Sequence, residues 1–560
     1  MKKSIVKFLI ALCALLITNI CYAVDVQLPQ GIPSTRFLIT DYGADPASPD
    51  NAVAINKAIA AAKTAGGGTV VFPAGTFLSG PLTVNMNKLN LYFEEGDTLR
   101  MLPYGTYPGT TNFIYIQNVS DIAITGSGVI DGNGGTVGVN GNGYSWWTGY
   151  NANKISTRPV MVRFKACHRV LVDGITLRNA PNQHLVVGQS STMGDNATIS
   201  NITVYADVPS PNTDCIDTWW WDGINIVNCN LSGGDDNIAI DSYTQHISIK
   251  HCIFGRGMVP SYLTGSGSNS TGHGCSIGSY TTAIQNVEVD SCSFNGTDYG
   301  IRIKSDRDRS GNDATHAVKN ITYSNITMTA INKYPIYMTC YYNTKDPVNR
   351  PDTVKARPVT GLTPKFCNIL LKNITSTASS SPVAAMYGLP EMPISDVTFD
   401  NVQLTSNTSS STGGLIVAYV DSLTLNCSSI TLTTTTSGRN AVIKNNYLPW
   451  PSTLFGMGDY TSGKVFNSDC DSTSTSVISP VVSGSVSCYP NPATGRIVIT
   501  AKEPIDTVSF FSIAGALVKS ISGYGETQLS VDMSDMPKGY YFARVVGTNN
   551  AATALKVLKT

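Results

Sequence analysis

The chain carries one short pattern many times over. An apolar residue, a variable one, a second apolar residue, two variable ones and then Ile, Val or Cys recur seven times, from Val170, Ile224, Ile247, Val287, Ile321, Ile369 and Val397. Weaker copies start at Ile122, Ile202 and Leu423. Alternation with period two marks short strands that turn one face inward. The Asn or Gly usually found before the sixth position suits a turn, because both tolerate left-handed backbone. No helical period lies between copies, which disfavours a βα solenoid or a doubly wound sheet. One coil cannot bury its apolar face alone, so successive coils must stack. The expected fold is all-β: a right-handed parallel β-helix.

A solenoid needs closed ends. Ala52, Ile55, Ala58, Ile59 and Ala62 lie at helix spacing ahead of Gly66-Gly67-Gly68, so a helical cap is expected before the strand Thr69–Phe72. Lys2, Lys3 and Lys7 precede the apolar run Phe8–Ile17 and a small-residue cut point at Ala23, which reads as an export signal over residues 1–23. That run is too short to span a bilayer, and no other stretch approaches the needed length. The coil domain is expected over 24–470, and a Ser/Thr-rich linker over 471–483. Residues 484–560 alternate as short strands and read as a small β-sandwich. Export leaves 11 of the 13 cysteines, and their strand positions favour buried thiols over a disulfide framework. Charged residues are only 14% of the chain, with 38 basic and 38 acidic, which excludes a basic nucleic-acid binder.

Four polar clusters fall on consecutive coils: Asn212-Thr213-Asp214, Gly234-Asp235-Asp236, Gly272-His273-Gly274 and Arg302-Ile303-Lys304. Each alone is weak, since an Asp pair is commonly a turn and an Arg-x-Lys strand commonly has a wet face. Stacking changes this, because residues one coil apart lie only about 4.8 Å apart along the axis. Three carboxylates, an imidazole and two cations can then converge on one face. Glycoside hydrolysis needs one protonated carboxyl for the leaving oxygen and one ionised carboxylate for water. Crowding separates the two by raising the pKa of one member. Arg302 and Lys304 suit a substrate that carries its own carboxylates. No His/Cys/Asp set has metal-ligand spacing, so neither a metal nor another cofactor is expected.

These four motifs in this order resemble glycoside hydrolase family 28, the polygalacturonases and related pectin hydrolases. The likeness takes in Asp41-Tyr42-Gly43-Ala44-Asp45, Gly66–Thr76, Gly126–Gly132, Trp146-Trp147 and Arg158-Pro159. It implies cleavage of α-1,4-galacturonosyl bonds of pectin with inversion, with Asp235 as general acid. Asp214 and Asp236 would activate water, His273 would tune the acid, and Arg302 and Lys304 would grip galacturonate. Asn212 and a tyrosine taken as Tyr342, rather than Tyr341, complete the implied substrate contacts, and His184, after Asn182-Gln183, is either a sugar contact or a structural residue. Trp219-Trp220-Trp221 could include a stacking platform. Cys215 stands where the family often has Gly, and the Gly/Ser-rich loop 255–271 could narrow the cleft. Rhamnogalacturonan or xylogalacturonan hydrolysis, a pectate lyase and a non-catalytic adhesin remain alternatives. The C-terminal segment, through Tyr489–Pro492, Ser512–Gly515, Met536–Tyr541 and Lys556–Lys559, resembles the type A sorting domain of the type IX secretion system. That implies secretion or display at the surface of a Bacteroidetes-like bacterium, with the secretion machinery as partner; a monomer without a membrane span is expected. The enzyme portion counts 28 basic and 33 acidic residues, so bulk steering of an anionic polymer is not expected.

Overall fold

The computed structural model describes residues 26–560 except 110, 190, 258–271, 308, 311–316, 344–353, 379–382, 407–414, 433–463, 469–485, 513–516, 524 and 549–551. The expected signal and linker, and most of the Gly/Ser-rich loop, lie outside the described residues. The chain divides into two compact units, Met1–Asp469 and Cys470–Thr560.

The first unit is a right-handed parallel β-helix, and the repeat is its ladder. Leu89, Ile122, Val170, Ala197, Ile224, Ile247, Val287, Ile321, Ile369, Val397 and Leu423 pair in succession, coil upon coil, all parallel. The copy expected from Ile202 is out of phase. Its strand is Gly194–Ser200, Ala197 takes the first apolar position, and Ile202 takes the sixth. A methyl group was too small to register as a core residue, yet Ala197 is fully buried. Helix α1, Ala52–Thr64, packs Ile55, Ala58, Ile59 and Ala62 into the core at the N-terminal end.

A second column of eleven parallel strands forms the face that matters here. In chain order these are β1 Leu82–Val84, β2 Asn112–Gln117, β3 Val160–Lys165, β4 Leu185–Val187, β5 Ile216–Thr218 and β6 Asp236–Ile240. They continue with β7 His273–Ile277, β8 Tyr299–Lys304, β9 Tyr334–Thr339, β10 Ala384–Tyr387 and β11 Leu415–Ala418. Ile114, Val162, Leu185, Ile216, Ile238, Cys275, Ile301 and Ile336 make one inward ladder. The residues one further on, Tyr115, Arg163, Val186, Asp217, Ala239, Ser276, Arg302 and Tyr337, make one outward ladder.

Among the described residues nine cysteines are free thiols, seven of them buried, whereas Cys427 is disulfide-bonded. The second unit is a small sandwich of antiparallel sheets, three strands and four, around Ile497, Ile499, Val508, Phe510 and Val531.

Asp97 is an anomaly within the first unit. It is 1% exposed, and neither carboxyl oxygen has a hydrogen-bond partner. Burial pushes its pKa up to about 8. An acid whose folded pKa exceeds its unfolded value makes the fold less stable as pH rises between the two. Asp97→Asn is therefore expected to stabilise the protein at pH 8, on the order of 5 kcal/mol, with the gain vanishing near pH 4. Denaturation midpoints of both proteins across that range check it.

Candidate active site

Stacking of β5 to β8 brings the polar clusters together. Asp236 opens β6 and is paired in register with His273 at the start of β7. Asp214 comes one coil earlier, where the Cys215 N–H donates to the Asp236 carbonyl at 3.0 Å. Arg302 and Lys304 project from β8, beyond His273. The glycines flanking His273 are required by close approach. A Cβ on Gly272 would press on Arg256 and the Gly233 carbonyl, and one on Gly274 on the Phe294 ring and the Gly300 carbonyl.

Asp236 is the hub. It is 2% exposed and accepts from Lys304 Nζ at 2.6 Å and from Ser276 Oγ at 2.6 Å. His273 Nδ1 lies 3.0 Å from its Oδ1, and Arg302 Nη1 lies 3.5 Å from the same oxygen. Burial alone would raise its pKa, but Lys304, His273 and Arg302 hold it well below the usual carboxylate range. Asp236 is thus the ionised member. Asp214 has the opposite character. Burial, reinforced by Asp217, Asp235 and Asp236, pushes it well above that range, against Lys304. Asp235 is the more open neighbour, with its side chain 27% exposed. Its carboxylate lies 3.3 Å from His273 Nδ1 and accepts from Asn212 Nδ2 at 3.3 Å. Burial would lower His273, but its bonds to Asp235 and Asp236 outweigh that and hold it above its ordinary value.

Asn212 is itself held by Arg158, whose Nη2 donates to Asn212 Oδ1 at 2.8 Å. The same guanidinium donates to the Pro181 carbonyl at 2.8 Å and to that of Pro211, and lies over the Tyr150 ring. Arg158, Asn212 and Tyr150 line a pocket of about 240 Å³ with Gln183 and Asp214. Arg158 thus supports the site from behind, a role that its Arg-Pro motif did not disclose. Tyr342 sits at the other side, its ring 5.0 Å from Lys304 Nζ and 5.6 Å from the Arg302 guanidinium. Tyr341 is buried instead. Of the three tryptophans, Trp221 is a core residue and Trp220 packs on Tyr243, while Trp219 lies near the site against Tyr280. Asp235, Asp236 and His273 bring possible ligand atoms within 4.8 Å of one another, the one such group among the described residues. Lys304 and Arg302 already occupy the Asp236 oxygens there.

One expected contact is corrected. His184 is fully buried, so it cannot touch a sugar. Its Nδ1 lies 3.0 Å from the Asp214 carbonyl oxygen and its Nε2 3.1 Å from that of Tyr205, so it props the Asp214 backbone from beneath. Burial lowers its pKa to about 4. A base whose folded pKa is depressed keeps its full stability above the unfolded value, near 6.5, and loses it as pH falls toward the folded one. His184→Gln should remove about 3 kcal/mol of acid sensitivity between pH 6.5 and 4. Unfolding free energies of both proteins across that window check it.

Comparison with known proteins identifies the family. The model for Glycosyl hydrolases family 28 matches residues 68–420, and that for a Secretion system C-terminal sorting domain matches 487–559. An endo-polygalacturonase of Pectobacterium carotovorum subsp. carotovorum is 31% identical over 358 residues, 60% of this chain and 79% of that protein. A polygalacturonase of Medicago sativa is 26% identical over 60% of this chain and 74% of its own. Among solved structures, the polygalacturonase of Erwinia carotovora ssp. carotovora is 28% identical, with a TM-score of 0.54 over 70% of this chain and 96% of that one. The endo-xylogalacturonan hydrolase of Aspergillus tubingensis is 19% identical, with a TM-score of 0.53 over 72% of this chain and 100% of that one, a likeness of fold alone. With the family match spanning well over half its length around this carboxylate–imidazole–cation cluster, the chain belongs to family 28 of the glycosyl hydrolases.

Proposed function

We propose that this enzyme is a secreted polygalacturonase that cleaves α-1,4-galacturonosyl bonds with inversion of configuration. The observation that carries the substrate class is the pair Arg302 and Lys304, buried cations that sit directly against the catalytic carboxylates. A neutral glycan would leave two cations facing it, whereas a uronate supplies a carboxylate for them. Asp235, the most open carboxyl, donates a proton to the leaving oxygen. Asp236 and Asp214 hold the attacking water, and Asp236 takes its proton. His273 bridges Asp235 and Asp236, so it couples acid to base.

Asp236 in the free enzyme is a weak base, because Lys304 and Arg302 neutralise it. A substrate carboxylate that draws those cations away raises its basicity at the moment water must be activated. Substrate binding and base activation are then one event. Lys304→Met is expected to raise KM and to move the acid limb of kcat/KM to higher pH, since the carboxylate loses the partner that keeps it ionised. A pH profile of initial rates on polygalacturonate checks it.

Asp235→Asn should lower kcat by about 10²–10⁴-fold while binding is largely kept. The raised pKa of Asp214 favours a second reading, in which Asp214 is the proton donor. An aryl galacturonide whose leaving group needs no proton separates the two. It rescues Asp235→Asn if Asp235 is the acid, and Asp214→Asn if the roles are exchanged. Proton NMR of the first-formed anomer reads the stereochemistry, and retention would refute inversion.

The sorting domain supports export by the type IX system of a Bacteroidetes-like bacterium, and no described helix is long and apolar enough to cross a membrane. Deleting residues 484–560 is expected to leave the enzyme inside the producing cell's outer membrane, measured by fractionation and activity.

A further inference from the structure

Beyond Lys304 the chain turns back toward the cleft and places Arg309 against two exposed tyrosines. Its guanidinium carbon lies 4.9 Å from the Tyr280 ring centroid and 5.9 Å from that of Tyr342. The rings are 45% and 37% exposed. Trp219 also packs on Tyr280, with centroids 5.5 Å apart. The Arg309 backbone is pinned at both ends: its N–H donates to the Asp306 carbonyl at 3.0 Å, and its carbonyl accepts from the Thr281 N–H at 3.1 Å. Nη1 donates to Ser279 Oγ at 2.9 Å, and Nη2 reaches the Asn343 amide oxygen at 2.7 Å in the orientation that satisfies both groups.

Three cations therefore meet one exposed ring, since Tyr342 also faces Arg302 and Lys304. Arg302 and Lys304 have Asp236 as counter-charge, whereas Arg309 has no ion-pair partner among the described residues. The carboxyl it acts on is Asp241, which burial pushes up to about 7 and which accepts from the Tyr280 N–H. A guanidinium has five donors in a planar fork, and the two ties account for only part of them. It is held rigid beside aromatic faces, which is how a site is pre-organised for a planar anion on an apolar ring.

We propose that Arg309, with Tyr280 and Tyr342, forms a second carboxylate-binding subsite, which takes the next uronate along the chain from the one held by Arg302 and Lys304. The guanidinium pairs with the sugar carboxylate, and the tyrosine faces lie against the pyranose ring. This rests on the polygalacturonase reading and extends it, because it makes recognition depend on a run of acidic sugars. A mere tie between loops would use the same contacts to Ser279 and Asn343, but it would be blind to substrate length and charge.

The test compares wild type, Arg309→Ala, Arg309→Lys and Tyr280→Ala on oligogalacturonates of increasing length and on polygalacturonate of graded methyl esterification. Arg309→Ala should lower kcat/KM about tenfold on the longer, unesterified substrates. The shortest cleaved oligomer should change less than about twofold, and preference for unesterified polymer should fall with the first effect. Arg309→Lys should recover part of the loss, and Tyr280→Ala, an exposed substitution that spares the fold, should show a smaller loss with the same length dependence. An equal loss at every length, or none, overturns the proposal. Wild-type release of reducing ends from polygalacturonate tests the underlying reading separately. If that fails, calorimetry of trigalacturonate with wild type and Arg309→Ala still decides the subsite, and equal affinities or no binding overturn it.

Discussion

In-register stacking of coils is the constraint on which everything else here rests. Side chains alternate with a period of two, so a slip of one residue would turn a whole strand's apolar set outward. Along the ladder from Leu89 to Leu423 the apolar positions pair without a slip, and the irregularity between Met328 and Ile331 falls beyond them. The same register is imposed on the other faces, since each coil closes on itself. Asp217, Ala239, Ser276 and Arg302 consequently form one line, although Arg302 is far from Asp217 in the chain. Core packing sets the strand-borne part of the site, Asp236, His273, Arg302 and Lys304, and the connecting segments add Asn212, Asp214, Asp235 and Tyr342.

The same stacking sets like charges on one another. Burial pushes Asp214, Asp217 and Asp241 above the ordinary carboxyl range, with repulsion by Asp217 adding to it for Asp214, by Asp241 for Asp217 and by Asp236 for Asp241. Asp236 escapes because Lys304 and Arg302 lie two coils further on and reach back to it. Ionisation is thus decided by coil position rather than by residue type. A buried ion pair of this kind adds little net stability, yet removing one partner leaves an uncompensated charge. Its value is in fixing which carboxyl is negative before a substrate arrives.

The fold was legible because an apolar period survives insertion: loops lengthen between copies, but the strand pattern does not change. It failed once, where Ala197 replaced a larger residue and the phase was taken from Ile202. Clustering of Asp214, Asp235, Asp236, His273, Arg302 and Lys304 was legible too, since motif order becomes proximity once coils stack. His184 was misread because alternation does not say whether a polar residue ahead of a strand faces the cleft or the coil beneath. Its fully buried ring is a matter of three-dimensional packing. Arg158 went unassigned because its partners are backbone carbonyls and Asn212, which leave no spacing signal. Arg309 was hidden in the basic and acidic run Arg302–Arg309, which reads as an ordinary wet turn. Only the approach of Tyr280 from the preceding coil gives it meaning.

These placements bear on how an enzyme with more acids than bases can hold a polyanion. Fields from the whole surface are screened within about 8–10 Å in physiological salt, so the net charge does not govern what happens in the cleft. Short-range pairing does, and there burial pushes Asp214, Asp217 and Asp241 toward their neutral forms beside the cations. On the function proposed above, the raised pKa values of Asp214, Asp217 and Asp241 serve substrate recognition as well as acid–base chemistry. Were they ionised, the carboxylates would cancel Arg302, Lys304 and Arg309 and repel each incoming uronate. A solenoid meets a repeating polymer with a repeating surface. Its specificity then lies in which positions of the repeat carry a free cation, and stacking order fixes those positions as rigidly as it does the core.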